Sequence, residues 1–277
     1  MPVMVSPTHP YVVLEKPLGQ TPLQAIDGWK HANPRYAHLP ATYAGRLDPM
    51  AEGTLLVLLG DECKRKEAYL GLDKEYEVEV LLDLTTDTRD VLGMPSYAGT
   101  QSRPGHRTVQ GVLRAETGSK DIPYPSYSSK TVDGTPLFLH ALEGTLDTVE
   151  IPTHTETIYR IQHLGIAEIS AEDLERRIMA MLGHAPRTDD PSKAFGRDFR
   201  QDEIRAAWKA VFGTMPGRSF AIIRLRVTCA SGTYMRSLAD RIGLALDTRG
   251  MALSIRRTKI GRYKTMLGSG LWTRRFS

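Results

Sequence analysis

Apolar and polar side chains alternate with period two along Glu75–Leu82, with Tyr76, Val78, Val80 and Leu82 on one side and Glu75, Glu77, Glu79 and Leu81 on the other. That spacing predicts a half-buried strand that carries Tyr76 on its apolar face, where an aromatic is ordinarily a core residue. A second alternating run covers Phe220 to Cys229, with Ile223, Leu225, Val227 and Cys229 facing one way and Arg224, Arg226 and Thr228 the other. After it, Met235, Leu238, Ala239 and Ile242 recur at the spacing of one helix face, which Gly243 is expected to stop. Arg236 therefore belongs to the first turn of a helix that follows a strand. Tyr11 to Leu14 reads as a short strand. Thr21-Pro22-Leu23-Gln24 reads as a helix start, with a capping hydroxyl, a proline at the first helical position and Gln at the capping-box place; that helix should end before Pro34.

Between strand candidates near Ile158 and Phe220 the pattern turns helical twice, over Ser170 to Leu182 closed by Gly183 and over Gln201 to Phe212 closed by Gly213. The linker between them, His184 to Arg200, is rich in Pro, Asp, Arg and Lys and is expected to be exposed. The pair reads as a helical insertion over about 165–217, a small peripheral unit on a single domain covering 1–277.

One carboxylate stands out against this framework. Asp48 lies in Thr42-Tyr43-Ala44-Gly45-Arg46-Leu47-Asp48-Pro49-Met50-Ala51-Glu52-Gly53, directly before the apolar run Thr54 to Leu59. Pro49 biases Asp48 away from the α region. Gly45 and Gly53 allow the backbone to bend tightly or to approach a partner closely. Locally this is compatible with a solvated turn as well as with a reactive carboxylate.

Composition narrows the classes. The 277 residues carry a formal net charge of +4, and the excess is uneven, because Arg249 to Ser277 contains eight Arg or Lys and no Asp or Glu. A basic tail of this kind is either a solvated face or a nucleic-acid contact. The two cysteines, Cys63 and Cys229, cannot build a disulfide framework, and neither has a Cys or His at metal-ligand spacing, so no metal site is expected. Met1 to Pro10 holds no Lys or Arg and no apolar run of signal-peptide length, and no stretch reads as membrane-spanning; a soluble, cytoplasmic protein is the expectation.

The segment around Asp48 resembles the nucleophile signature of the TruB family of tRNA pseudouridine(55) synthases, Gly-His-x-Gly-Thr-Leu-Asp-Pro-Leu-Ala-x-Gly-Val-Leu, with Gly45, Leu47, Asp48, Pro49, Ala51, Gly53 and Leu55 matching. Further blocks follow in the family's order. Lys74-Glu75-Tyr76-Glu77-Val78 with Thr86-Asp87-Thr88-Arg89-Asp90 is similar to its Lys-x-Tyr block and acidic tail, Ser231-Gly232-Thr233-Tyr234-Met235-Arg236-Ser237-Leu238-Ala239 to its Gly-Thr-Tyr-Ile-Arg-Ser-Leu block, and Leu253-Ser254-Ile255-Arg256-Arg257-Thr258 to its Leu-Arg-Arg-Thr segment. Lys16-Pro17-Leu18-Gly19-Gln20-Thr21 and Pro125-Ser126-Tyr127-Ser128-Ser129 are weaker matches. The chain departs from the family at Tyr43, where a His is usual, at Thr42 and Arg46 beside the nucleophile, at Lys130-Thr131 and at Asp240-Arg241.

The resemblance implies an α+β pseudouridine synthase fold, a mixed and mainly antiparallel sheet flanked by helices. It implies isomerisation of uridine to pseudouridine at position 55 in the T-arm loop of tRNA, which needs no cofactor and no protein partner; a monomer is the expectation. It gives Asp48 the part of nucleophile, Arg236 that of holding it charged, and Tyr76 that of stacking on the flipped base and assisting proton removal from C5. Tyr43 would stack in the RNA loop, Ile255 would wall the base pocket, and Lys16 and Lys74 would meet phosphates. No C-terminal module of the PUA type is evident in the sequence. The alternatives are a synthase for another RNA, a subunit of a guided ribonucleoprotein, or a non-catalytic RNA-binding or tRNA-folding protein. A glycoside hydrolase would need a second acid such as Glu52 at the right separation.

Overall fold

The two alternating runs become neighbouring strands at the middle of one sheet. The computed structural model describes residues 9–185, 200–266 and 269–276. Its first half contains β1 (Tyr11–Lys16), α1 (Pro22–Ala32), β2 (Ala41–Tyr43), β3 (Ala51–Leu59), α2 (Glu67–Leu70), β4 (Asp73–Leu82), β5 (Leu84–Thr86), β6 (Pro95–Tyr97), α3 (His106–Glu116) and β7 (Gly118–Pro123). There follow β8 (Thr131–Val132), β9 (Thr135–Pro136), α4 (Leu137–Glu143), β10 (Thr153–Ser170), α5 (Ala171–Gly183), α6 (Gln201–Gly213), β11 (Ser219–Cys229), α7 (Met235–Ala245), β12 (Gly250–Met266) and β13 (Ser269–Phe276). The main sheet runs β1-β3-β12-β4-β11-β10-β7, with β13 on β12 and β2 on β3. Among the strands of the described residues, only β3 and β12 pair in parallel, so the fold is α+β with a mixed, mainly antiparallel sheet.

Strand parity decides which core each side chain enters. Val78, Val80 and Leu82 of β4 and Ile223, Leu225 and Val227 of β11 join Val109 and Leu113 of α3 and Leu238 and Ile242 of α7 on one face. Leu81, Phe220 and Ile222 point the other way, against Leu174, Ile178 and Leu182 of α5 and Ile204, Trp208 and Phe212 of α6. The helical pair is thus part of the core and not peripheral to it: Trp208 is wholly buried and its indole N–H donates to the Val91 carbonyl at 3.1 Å.

Local signals are realised at α1, where Thr21 Oγ1 accepts from the Gln24 N–H and Gln24 Oε1 accepts from the Thr21 N–H. Two expectations are corrected. Residues 165–170, placed at the start of the helical insertion, instead continue β10 and pair with β11. Gly243 does not stop α7, which runs on to Ala245; a Cβ at Gly243 would lie 2.2 Å from the Gly250 nitrogen, so its smallness serves the crossing of β12. The linker read over His184 to Arg200 falls mostly outside the described residues, as do residues 1–8 of the N-terminal segment.

Candidate active site

Asp48 sits in the loop that feeds β3, and the loop is pinned on both sides of the sheet. Leu47 is buried in the α3–α7 core and Met50 in the α5–α6 core, while the Asp48 carbonyl accepts from the Ala51 N–H at 3.0 Å and closes the turn. Gly45 and Gly53 both take positive φ, +88° and +104°. At Gly53 a Cβ would lie 2.3 Å from the Arg257 carbonyl oxygen, so only glycine lets β3 and β12 approach here.

That approach brings in Arg257, which is 1% exposed. Its guanidinium donates to the carbonyls of Thr54 at 2.8 Å, Arg46 at 3.1 Å and Gly45 at 3.3 Å, and so clamps the loop from below. Lys16 is fully buried and donates to the carbonyls of Gln20 at 2.7 Å, Pro17 at 3.0 Å and Pro49 at 3.4 Å. Burial pushes its pKa down to about 8, against the pull of Asp48. Lys74, 4% exposed, gives its protons to the carbonyls of Leu70 and Leu72 and to Ser231 Oγ, and burial holds it at about 8 as well. Neither lysine is therefore available to a phosphate, which corrects the sequence reading. Both are internal struts.

Arg236 occupies the first turn of α7, next to the end of β11. Its Nε donates to Asp48 Oδ2 at 3.0 Å, Nη1 to the Thr88 carbonyl at 2.9 Å and Nη2 to the Tyr127 carbonyl at 3.1 Å. The pair is asymmetric, with the Arg236 side chain 6% exposed and that of Asp48 35%. Burial alone would lower the guanidinium's pKa; Asp48 and Asp90 outweigh it and leave it raised. Asp90 Oδ2 lies 3.8 Å from the same Nε, and its Oδ1 accepts from Thr88 Oγ1 at 2.7 Å and the Leu92 N–H at 3.0 Å. Burial pushes the Asp90 carboxyl up, with Arg236 opposing.

Tyr76 lies on β4 opposite Val227 of β11 and Arg257 of β12, in one buried cluster with Leu47, Ala51 and Ile255. Ile255 is in register with Ala51 and Val78. Burial pushes the Tyr76 phenol up, so the ring keeps its hydroxyl proton and presents a neutral face. Tyr43 stands apart from this group: it pairs with Val57 and packs against the α1 cluster, with Lys66 Nζ 5.2 Å from its ring centre. Leu47 of the Asp48 loop, Tyr76, Ile255 and Met235, the neighbour of Arg236, thus share one buried cluster, while Tyr43, Lys16 and Lys74 make other contacts. Among the described residues, no three His, Cys, Asp or Glu side chains gather as metal ligands would, and no helix is long and apolar enough to cross a membrane.

Sequence reasoning gave no role to Arg257, Asp90, Tyr127 or Tyr234, whose phenol is pushed up by burial and by the charge of Asp48. For Arg257 a signal existed. It shares strand parity with Ile255, as Lys74 does with Tyr76 and Lys16 with Leu14, and each of these cations points inward.

The protein is 29% identical over 255 residues to the tRNA pseudouridine synthase B of Aromatoleum aromaticum, and 28% identical over 253 residues to that of Cupriavidus metallidurans. Each match covers 91% of this chain but 63% of the relative, so the chain spans under two thirds of their length. The fold is similar to that of a chain in the crystal structure of a Cbf5-Nop10-Gar1 complex, with a TM-score of 0.52 and 19% identity over 91% of this chain and 48% of that one. The sequence model of the TruB family pseudouridylate synthase (N terminal domain) matches residues 37–180. With more than half its length inside that match, which takes in the Asp48 loop near its start, the chain belongs to the TruB family.

Proposed function

We propose that the protein is an RNA pseudouridine synthase that isomerises uridine 55 in the T-arm loop of tRNA, with residues 1–277 forming one catalytic domain. The observation that carries this reading is the asymmetric Asp48–Arg236 pair, in which a buried guanidinium, held also by the Thr88 and Tyr127 carbonyls, partners a carboxylate that stays partly exposed. Family membership and the names of the curated relatives support the RNA class.

The reaction breaks the N1–C1′ bond, turns the uracil and joins C5 to C1′, with the C5 proton lost and one gained at N1. Nothing is oxidised and no group comes from outside. A carboxylate suits this because it can form a covalent intermediate and later leave. Asp48 takes that part, and its fixed guanidinium partner saves reorganisation as charge shifts during reaction. The glycosidic bond is hidden in a folded RNA loop, so the nucleotide must turn out toward Asp48 at a cost on the order of a few kcal/mol. Tyr76 provides a neutral aromatic face for the base, and Ile255 with Leu47 provides the apolar floor. With Lys16 and Lys74 internal, phosphate contacts fall to exposed cations; Arg46, two residues before Asp48, is exposed.

The reading is tested by incubating the protein with a T-arm transcript and mapping pseudouridine by carbodiimide adducts and primer extension. A single modified uridine in the loop is expected. An unmodified transcript, with a known synthase modifying the same RNA in parallel, would refute it.

A further inference from the structure

The α5–α6 pair reaches the site from the far face of the sheet, and three contacts carry it there. The carbonyl of His184, just after α5, lies where a Cβ on Gly19 would sit, at 1.8 Å, and the Gly19 N–H donates to the Pro49 carbonyl at 2.8 Å, directly after Asp48. Trp208 of α6 donates to the Val91 carbonyl, directly after Asp90. The third contact is made by Arg200 at the start of α6.

Arg200 adopts φ +57°, a left-handed conformation that a non-glycine residue holds only where its surroundings enforce it. Its Nη2 donates to Asp87 Oδ2 at 2.7 Å, and its guanidinium carbon lies 5.5 Å from the centre of the Tyr127 ring. The Tyr127 hydroxyl donates to the same Asp87 oxygen at 2.9 Å, while Asp87 Oδ1 accepts from the Met94 N–H at 2.8 Å. Burial and Asp87 push the Tyr127 phenol up to about 12, which keeps it a donor. The position of this cluster is what gives it a consequence. Of the three acceptors that fix the Arg236 guanidinium, one is the carbonyl of Tyr127 itself and another is the carbonyl of Thr88, the residue after Asp87. The third is Asp48.

We propose that Arg200 is a positioning residue for the reaction: by tying Asp87 to Tyr127 it locks the two carbonyls that, together with Asp48, set the plane of the Arg236 guanidinium. The proposal rests on the synthase reading for its effect on rate, although the latch itself is a property of the fold. It gives the helical pair a role at the site that its place behind the sheet does not reveal.

The test compares the parent with Arg200→Gln, Arg200→Lys and Arg200→Gln/Tyr127→Phe by single-turnover pseudouridine formation, by RNA affinity, and by amide hydrogen exchange over 124–130. For Arg200→Gln, a rate loss of about tenfold is expected with affinity held within about twofold, together with faster exchange over 124–130. Arg200→Lys, which keeps the ion pair but not the planar face over Tyr127, should recover part of the rate. Adding Tyr127→Phe to Arg200→Gln should change little, because the two act as one unit. An unchanged rate with unchanged exchange would overturn the proposal. So would lost affinity at an unchanged rate, which would make Arg200 a direct RNA contact. A parent protein that forms no pseudouridine would overturn the synthase reading instead, and the exchange comparison would still decide the latch.

Discussion

At the scale of single residues, the cations around Asp48 divide by what they touch. Arg236 meets the carboxylate, whereas Lys16 and Arg257 meet backbone carbonyls of the loop that presents it, and Lys74 ties the carbonyls of Leu70 and Leu72 to Ser231 Oγ. Lys16→Met removes the donor shared by the Pro17, Gln20 and Pro49 carbonyls and is expected to lower stability by roughly 1–3 kcal/mol. Denaturant unfolding reads this directly. The slope of log affinity for RNA against log salt should not change, since no phosphate contact is lost; a shallower slope would restore the phosphate reading. The pH dependence has a definite sign. Folded Lys16 releases its proton near about 8 and the unfolded chain near 10.5, so in that window the unfolded state binds more protons and stability rises with pH. Lys74 behaves alike, and Lys16→Met should keep only part of the rise. Asp48 was legible from its proline and glycines together with the family pattern. The inward turn of the cations was legible only through strand parity, and an unaided hydropathy reading sends every Lys and Arg to the surface.

At the scale of elements, capping chemistry was the most readable signal. Thr21 and Gln24 fixed the start of α1, and Ser170 caps α5 by accepting the Asp173 N–H at 3.0 Å. The length of β10 was not readable, because both its faces mix residue types: Leu164 and Ile166 stand on the exposed face beside Arg160, Gln162 and Glu168, while His163 lies between Ile161 and Ala167 on the other. Gly243 was misread as a helix stop because its reason is a close contact with the start of β12, the element that follows α7. Two effects compete at this position. A helix-only view predicts that Gly243→Ala stabilises α7 by about 1 kcal/mol. The Gly250 nitrogen 2.2 Å from the added Cβ predicts the reverse, because backbone must move, at a cost of about 1–3 kcal/mol. The clash should win, and the urea midpoint should fall; a raised midpoint would show that α7 and β12 can part without penalty.

At the scale of the whole molecule, the site depends on contacts that no local pattern contains. The parallel register of β3 with β12 sets Gly53 against Arg257, and α7 delivers Arg236 to a loop 188 residues away in sequence. Such pairings are chosen by the packing of both faces of the sheet at once, which is why the strands were legible and their order was not. The basic C-terminal run, read as a single feature in the sequence, is divided by the fold: Arg257 is internal, Arg256 pairs with Glu15 and Glu52, Lys259 pairs with Glu75 at 2.8 Å, and Arg262 and Lys264 stay exposed. The central claim is that Asp48 acts on the RNA as a nucleophile from a preformed ion pair. Its most direct test is Asp48→Asn, with binding and single-turnover isomerisation measured on one T-arm transcript. The account predicts affinity within a few-fold of the parent and a rate lowered by more than about a thousandfold, since a nucleophile is lost and no positive charge is. A rate within about tenfold of the parent would contradict it.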